Sequence, residues 1–344
     1  MRPIALVRAS ILAPIVGFLA RGGARVERLL PEAGLPAWLP VEAEGLIPTS
    51  SVVRLLNRAV RSEGIADVGL RAGLEARIDA LGVLGRRICL APTVGAALQW
   101  AIRNHRAFSS SGRTWLASRG EQVRLCAAWS DRVDEEWQQL EHYALMLMMG
   151  IVRLGAGPTW CPPDMRLQTG ESAAVRELEH LSGARIRFAQ PVTAIGFPRA
   201  LLDAPLPEPS GVREHSEESL DAWTASGPAD DLAASIAQVV ETLSWRGYPH
   251  IRSTAAALGM SVRTLQRRLG SARVTHESLV ANVRFATAAA LLEKTDSKIV
   301  NIALDLGYSD HAHFTRAFRR WTGRSPNEFR RGSRNTGETL QARQ

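Results

Sequence analysis

Arginine is the residue type with the most chemistry to offer in this chain, and it is unevenly placed. Residues 229–334 hold 16 Lys and Arg against 9 Asp and Glu, a net of +7. Residues 1–228 hold 25 against 24, and the last ten residues carry one of each. Nearly all of the formal charge of +8 therefore belongs to the C-terminal third. A basic segment joined to a neutral one suits a polyanion held by one end of the molecule, although charge alone is equally compatible with a solvated basic face. The residue types used in catalysis or metal binding are not grouped for it. Cys89, Cys126 and Cys161 form no CxxC pair and are odd in number. That argues against a disulfide framework and a structural zinc site, and it fits a reducing compartment. The eight histidines are scattered, and no HExxH, GxSxG or Walker-type loop occurs. His105, His142 and His180 read as surface or satisfied core residues. The expectation is a protein that is not an enzyme and carries no cofactor and no metal.

Arginines that meet a partner need elements to aim them, and the basic segment contains the same element twice. Ala255-x-x-Leu258-Gly259-Met260-Ser261 returns 48 residues later as Ala303-x-x-Leu306-Gly307-Tyr308-Ser309. Leu265-Gln266-Arg267-Arg268-Leu269 then matches Phe314-Thr315-Arg316-Ala317-Phe318, with one extra residue in the second copy. This is the pattern of a helix-turn-helix. The alanine lets two helices cross closely, and the glycine supplies positive φ for the sharp turn. Ser261 and Ser309 stand where an N-cap starts the second helix. Val262, Leu265 and Leu269 then face inward and leave Arg263, Gln266, Arg267 and Arg268 outside. In the second copy Phe314 and Phe318 face inward, while His311, Ala312, His313, Arg316, Arg319 and Arg320 lie elsewhere. Between the copies, from about Thr275 to Lys294, runs a helical pattern without Pro or interior Gly. A helix of that length rises about 30 Å, against about 34 Å for one turn of B-DNA. Such a connector could set two recognition helices in adjacent turns of one groove, and a single chain would then read about 15–20 base pairs.

The rest of the chain reads as an α+β region. Ile11–Ala20 resembles the apolar part of a signal peptide, but Arg8, Pro14 and Arg21 break the pattern, and the run is too short to span a bilayer. It is expected to be a buried helix of a cytoplasmic protein with no membrane partner. Thr49-Ser50-Ser51 offers N-cap oxygens to the helical pattern VVRLLNRAV, and Thr93 does the same for VGAALQWAIRNHRAF. Thr114–Ala117 and Gln122–Trp129 alternate like a hairpin around residues 118–121. Asp134-Glu135-Glu136 is placed to open a long helix reaching about Leu154, where acids favour the positive end of its dipole. Ala173–Leu181 predicts another helix, and ARIRF and TAIGF predict short strands. Four prolines among small and acidic residues then mark a linker, with a short helix about Glu217–Trp223. The expected division is a regulatory α+β domain at 1–205, a linker at 206–228, an all-α domain with two helix-turn-helix units at 229–333, and a flexible tail at 334–344.

Residues 230–332 resemble the AraC/XylS family of bacterial transcription regulators. The likeness is strongest from Ile299 to Arg331, IVNIALDLGYSDHAHFTRAFRRWTGRSPNEFRR, where Thr322-Gly323 ends one helix and Ser325-Pro326 starts the last. The resemblance implies base contacts from Arg263, Gln266 and Arg267 in the first unit and from His311, Ala312, His313 and Arg316 in the second. Arginine can pair with a guanine edge, glutamine with adenine, and an alanine methyl can touch a thymine methyl. Ser261, Arg268, Ser309, Arg319 and Arg320 would grip phosphates and fix register. His276 departs from the family, which has an aromatic residue there. Residues 1–205 also resemble the arabinose-binding-domain-like effector domain of one AraC subgroup, through Leu81-Gly82, Pro92-Thr93 with Ala97-Leu98, and Asp203-Ala204-Pro205-Leu206-Pro207.

The resemblance implies a ligand-responsive regulator, by family tendency an activator. Its partners would be double-stranded promoter DNA, a small-molecule effector, RNA polymerase and, through the N-terminal domain, a second copy. Trp100, Trp115, Trp129, Trp137 and Trp160 could line an apolar pocket, with Arg86, Arg87 or Arg103 receiving an acidic ligand. The alternative is a constitutive or architectural DNA-binding protein with no effector. Alkylation-repair proteins of the Ada type share an AraC-like segment, but they rely on clustered zinc-binding cysteines that are missing here.

Overall fold

The apolar run near the N-terminus becomes a helix, α1 (Leu12–Arg21), because its large side chains recur every third or fourth residue. Leu12, Ile15 and Leu19 are buried, and Arg21 is left at the exposed end. The computed structural model that contains it describes residues 2–39, 44–129, 135–207 and 217–332. The expectations placed on Asp134, on residues 208–216 of the linker and on the tail at 334–344 lie outside the described residues. Contacts divide the chain into two units, one of Ile4–Ala229 and one made chiefly of Asp230 onward.

In the larger unit, β1 (Leu6–Arg8) pairs antiparallel with β2 (Leu46–Pro48). The helices α2 (Val26–Glu32), α3 (Thr49–Glu63), α4 (Val68–Leu74), α5 (Gly82–Cys89) and α6 (Val94–Phe108) precede a hairpin of β3 (Gly112–Arg119) and β4 (Gln122–Trp129). Then come α7 (Gln138–Ala156), β5 (Asp164–Arg166), α8 (Ala173–Ser182), β6 (Arg185–Arg187), β7 (Thr193–Pro198) and α9 (Glu217–Ala225). Five strands form one sheet in the order β3-β4-β7-β5-β6, antiparallel except for β5 and β6. The hairpin extends two residues further back than its sequence pattern, and β5 carried no readable alternation.

Two helix starts differ from expectation. Thr49 does not cap α3: Pro48 holds that position, and the Thr49 hydroxyl instead lies 2.6 Å from Ser111 Oγ. Nor do the acids at 135–136 open α7, because Glu135–Trp137 is a separate 3-10 turn. The acid in the first turn of α7 is Glu141, and it is buried. Its carboxylate accepts the amides of Gln168 (2.6 Å) and Thr169 (2.9 Å) and the hydroxyls of Thr169 and Thr193. It therefore ties α7 to β7 and to the loop after β5. Thr93 does cap α6, accepting the Ala96 amide at 3.2 Å.

The short helix expected inside the linker is α9, and it packs into the core of the larger unit. Trp223 is buried, stacks on Trp100 at 6.2 Å, and donates its indole N–H to Glu44 at 2.7 Å. The buried Arg8 guanidinium donates to the Trp223 carbonyl (2.7 Å), the Ser226 hydroxyl (3.2 Å) and the Ala107 carbonyl (3.0 Å).

The smaller unit is helical: α10 (Leu232–Leu243), α11 (Ile251–Ala257), α12 (Val262–Ser271), α13 (His276–Lys294), α14 (Ile299–Asp305), α15 (His311–Thr322) and a last helix over 326–332. α10 packs on α11 and α13, α11 on α12, and α14 on α15 and α13. Thr275 and Ser278 form a reciprocal capping box at the start of α13. Ser325 and Glu328 do the same for the last helix. The second half of the unit has its own core, in which Phe314 and Phe318 meet Ala288, Leu292, Ile302 and Leu306.

Candidate nucleic-acid interface

The two turns that aim α12 and α15 are made by Gly259 (φ +64°) and Gly307 (φ +73°). A side chain in this region costs roughly 1–2 kcal/mol. Gly307 has a second reason to be glycine, since a Cβ there would lie 3.0 Å from Gly247 Cα and from the Tyr248 amide nitrogen. Ala255 and Ala303 are both buried where the helices cross.

Ser261 caps α12, its hydroxyl accepting the Thr264 amide at 3.1 Å. Ser309 does not cap α15. Asp310 does, accepting the His313 amide at 2.7 Å, while Ser309 donates to its other oxygen at 3.2 Å. The extra residue of the second copy is the cause, because it moves the cap one place on. The hydrogen bond from the His313 amide holds the Asp310 carboxyl below its usual range.

With the cap moved, α12 and α15 correspond at an offset of 49 residues, so buried Leu265 and Leu269 match buried Phe314 and Phe318. Arg267 then corresponds to Arg316, Arg263 to Ala312, and Gln266 to Thr315. Arg263, Gln266 and Arg267 are exposed at spacings that share one helix face. Ala312, Arg316, Arg319 and Arg320 are likewise exposed, and at about 100° per residue they lie opposite Phe314 and Phe318. His313 borders that face, edge-on to Tyr308 at 5.7 Å, whereas His311, although exposed at the helix start, falls on the side of Phe318. Arg268 is half-buried and corresponds to the buried Ala317. It is therefore not the counterpart of Arg319 and Arg320, which match Gly270 and Ser271. Val262 is half-buried rather than sealed.

Arg284 of α13 was not singled out by sequence, although a lone arginine in an otherwise apolar stretch of that helix was visible there. Its guanidinium lies 3.7 Å from the Tyr308 ring centroid and 5.4 Å from that of Tyr248. It bridges the loop before α11 to the second turn, where Gly307 approaches Gly247. His276 is a satisfied core histidine, with Nε2 2.9 Å from the Thr254 hydroxyl, and burial pushes its pKa down.

In the larger unit a cavity of about 150 Å³ lies among α5, α6, α7 and the β3–β4 hairpin. Trp129 lines it; Arg86, Arg87, Trp100 and Arg103 do not. Leu98, Ala101, Ile102 and His105 of α6 face the cavity, so positions 100 and 103 turn away from it. Trp100 stacks on Trp223, Arg87 sits 6.0 Å from the Trp100 ring centroid, Arg86 is half-buried and Arg103 is exposed. The other tryptophans do not converge either: Trp115 lies under Arg113 at 4.8 Å, and Trp160 meets Phe197 at 6.4 Å. Among the described residues no group of side chains could hold a metal ion, and no helix is long and apolar enough to cross a membrane.

Residues 23–206 match the family described as the arabinose-binding domain of AraC transcription regulator, N-terminal, and residues 254–332 match a helix-turn-helix domain family. The chain is 28% identical over 279 residues to the ornithine utilization regulator of Pseudomonas aeruginosa, covering 76% of this chain and 78% of that one. It is 26% identical over 340 residues to the HTH-type transcriptional regulator VirS of Mycobacterium tuberculosis, covering 94% and 96%. Among solved structures, the transcriptional regulator CdpR from Pseudomonas aeruginosa is similar over 92% of this chain and 96% of its own, with 23% identity and a TM-score of 0.40.

Proposed function

The chain belongs to the AraC family of DNA-binding transcription regulators, and we propose that it reads two successive major-groove segments with α12 and α15 while the N-terminal unit adjusts that reading to a small molecule. The observation that carries this is the matched pair of second helices. Arg267 and Arg316 stand at equivalent exposed positions, each on a helix whose opposite face is sealed by Leu265 and Leu269 or by Phe314 and Phe318. The 19 residues of α13 between the units rise about 28 Å, near the roughly 34 Å that separates major-groove openings on one side of B-DNA. Arg263, Gln266, Arg267, His311, Ala312, His313 and Arg316 are assigned to base edges. Ser261, Arg268, Ser309, Arg319 and Arg320 are assigned to phosphates, with Arg268 serving the flank of the first unit.

The test is binding of the full chain to a selected operator and to random DNA at several salt concentrations. A preference of about a thousandfold or more is expected for the operator. Weak binding, equal on all sequences and governed by salt alone, overturns the reading. The proposal extends to activation through contact with RNA polymerase, and to a second copy joined through the N-terminal units. Transcription with purified polymerase checks the first, and sedimentation of the full chain checks the second.

A further inference from the structure

The cavity among α5, α6, α7 and the hairpin has a wall of one chemical kind. Leu84, Ile88, Leu98, Ile102, Leu147 and Met148 make up much of it. No Asp or Glu lines it, and Arg113, the one lining residue with a permanent charge, is exposed and lies over Trp115. The hydroxyls at one end are already bonded to one another: Thr49 to Ser111 at 2.6 Å, and Ser109 to Ser111 at 2.9 Å. His105 also lines it, its ring makes no hydrogen bond among the described residues, and burial lowers its pKa to about 4. Near neutral pH it offers one donor or one acceptor and no charge.

A cationic ligand would enter without a counter-ion, which costs several kcal/mol or more, and an anionic one would meet only Arg113, whose charge is already exposed to water. A sugar would strand most of its hydroxyls, at about 1–3 kcal/mol each. The volume of about 150 Å³ is that of an apolar protein cavity known to stay dry and admit benzene.

We propose that this cavity binds a compact, uncharged, largely apolar molecule about the size of a single aromatic ring, carrying at most one hydrogen-bonding group, and that this molecule is the effector. The proposal rests on the ligand-responsive reading above. It departs both from the acidic ligand expected from Arg86, Arg87 and Arg103 and from the pentose in the matching family's description. The cavity shares its walls with the seat of α9. Val7 and Phe108 line it, while their neighbours Arg8 and Ala107 meet in the hydrogen bonds that hold Trp223. α6 shows the cavity Leu98 and Ala101 and presents Trp100 to Trp223. A molecule that moves α6 or β1 is therefore felt at the last helix before residue 230.

The experiment is calorimetric titration and thermal melting of the full chain with toluene, phenol and indole, set against benzoate, ornithine and arabinose. At least one uncharged probe is expected to bind below 1 mM, about 4 kcal/mol, and to raise the Tm, while the charged and polyhydroxy probes do not. Ala144→Leu and Ala101→Leu fill the cavity from α7 and α6, and each is expected to weaken binding at least tenfold. Two variants on different helices guard against one failing to fold. If no uncharged probe binds, or if binding is equal in both variants, the cavity assignment is overturned. If benzoate, ornithine or arabinose binds instead and changes operator affinity, the ligand class is wrong and the ligand-responsive reading stands. If an uncharged probe binds and both variants lose it, yet operator affinity is unchanged, the cavity stands and the ligand-responsive reading falls.

Discussion

At the scale of single residues, Arg316 and Arg267 differ in expected consequence from Arg319 and Arg320. Replacing either of the first pair with alanine should cost about 1–3 kcal/mol on the operator and relax its sequence preference at one position. Arg319→Ala or Arg320→Ala should weaken binding alike on all sequences and lower the salt slope by about one. Titration of the full chain on operator and random DNA separates the two patterns, and a uniform loss from Arg316→Ala would move that residue to the phosphate group. Caps can be compared as well. Asp310→Ala should destabilise the smaller unit by about 1 kcal/mol, and Ser309→Ala by less, in denaturant unfolding. The repeat made the two helices legible, but the cap was misplaced because an insertion of one residue is invisible until buried side chains show which positions correspond.

At the scale of elements, Gly307 decides how the second turn is seated. Gly307→Ala should cost more than the roughly 1–2 kcal/mol of positive φ, since its Cβ also presses on the backbone of Gly247 and Tyr248. Amide hydrogen exchange in α14 and α15 reports that half of the unit, and a loss below about 1 kcal/mol would count against the close approach. Helices α6, α12 and α13 were readable because their caps and apolar periods lie within a few residues, and α15 was readable by its apolar period alone. α7 was readable in its body but not at its start, where a 3-10 turn holds the acids and the first-turn carboxylate is the buried Glu141, tied to Thr169 and Thr193.

For the whole molecule, pH and α9 give the most direct tests. Burial lowers the pKa of His105 and His142 to about 4, against about 6.5 in an unfolded chain. The unfolded state therefore binds protons first as the pH falls. Stability from these groups is whole above about pH 6.5 and is lost progressively between there and about pH 4. His142 is fully buried and neither ring nitrogen has a hydrogen-bond partner among the described residues. His142→Leu should flatten the acid limb of the larger unit's melting curve, and an unchanged limb would refute its share. Trp223→Ala should destabilise that unit by about 3–5 kcal/mol. It should also reduce any ligand-induced change in operator affinity while leaving ligand binding in place, as titration with and without DNA would show.

What the sequence determined by itself is the part of this protein written in short-range pattern: the basic C-terminal third, a repeated helix-glycine-helix pattern, a long helix between the copies, and the apolar faces of α12 and α15. Caps, periods of three and four, and positive-φ glycines act over a few residues, so they survive without coordinates. The tertiary structure alone decided where the cavity lies and how α9 is seated. Arg8 and Trp223 are 215 residues apart, and Tyr143 donates to the Ile11 carbonyl across 132. Such contacts arise when many apolar faces pack together at once. For that reason Trp100 and the arginines expected to form a pocket were turned away from it, Trp129 alone of those residues lines it, and most of its wall is aliphatic side chains that no local pattern distinguishes from ordinary core.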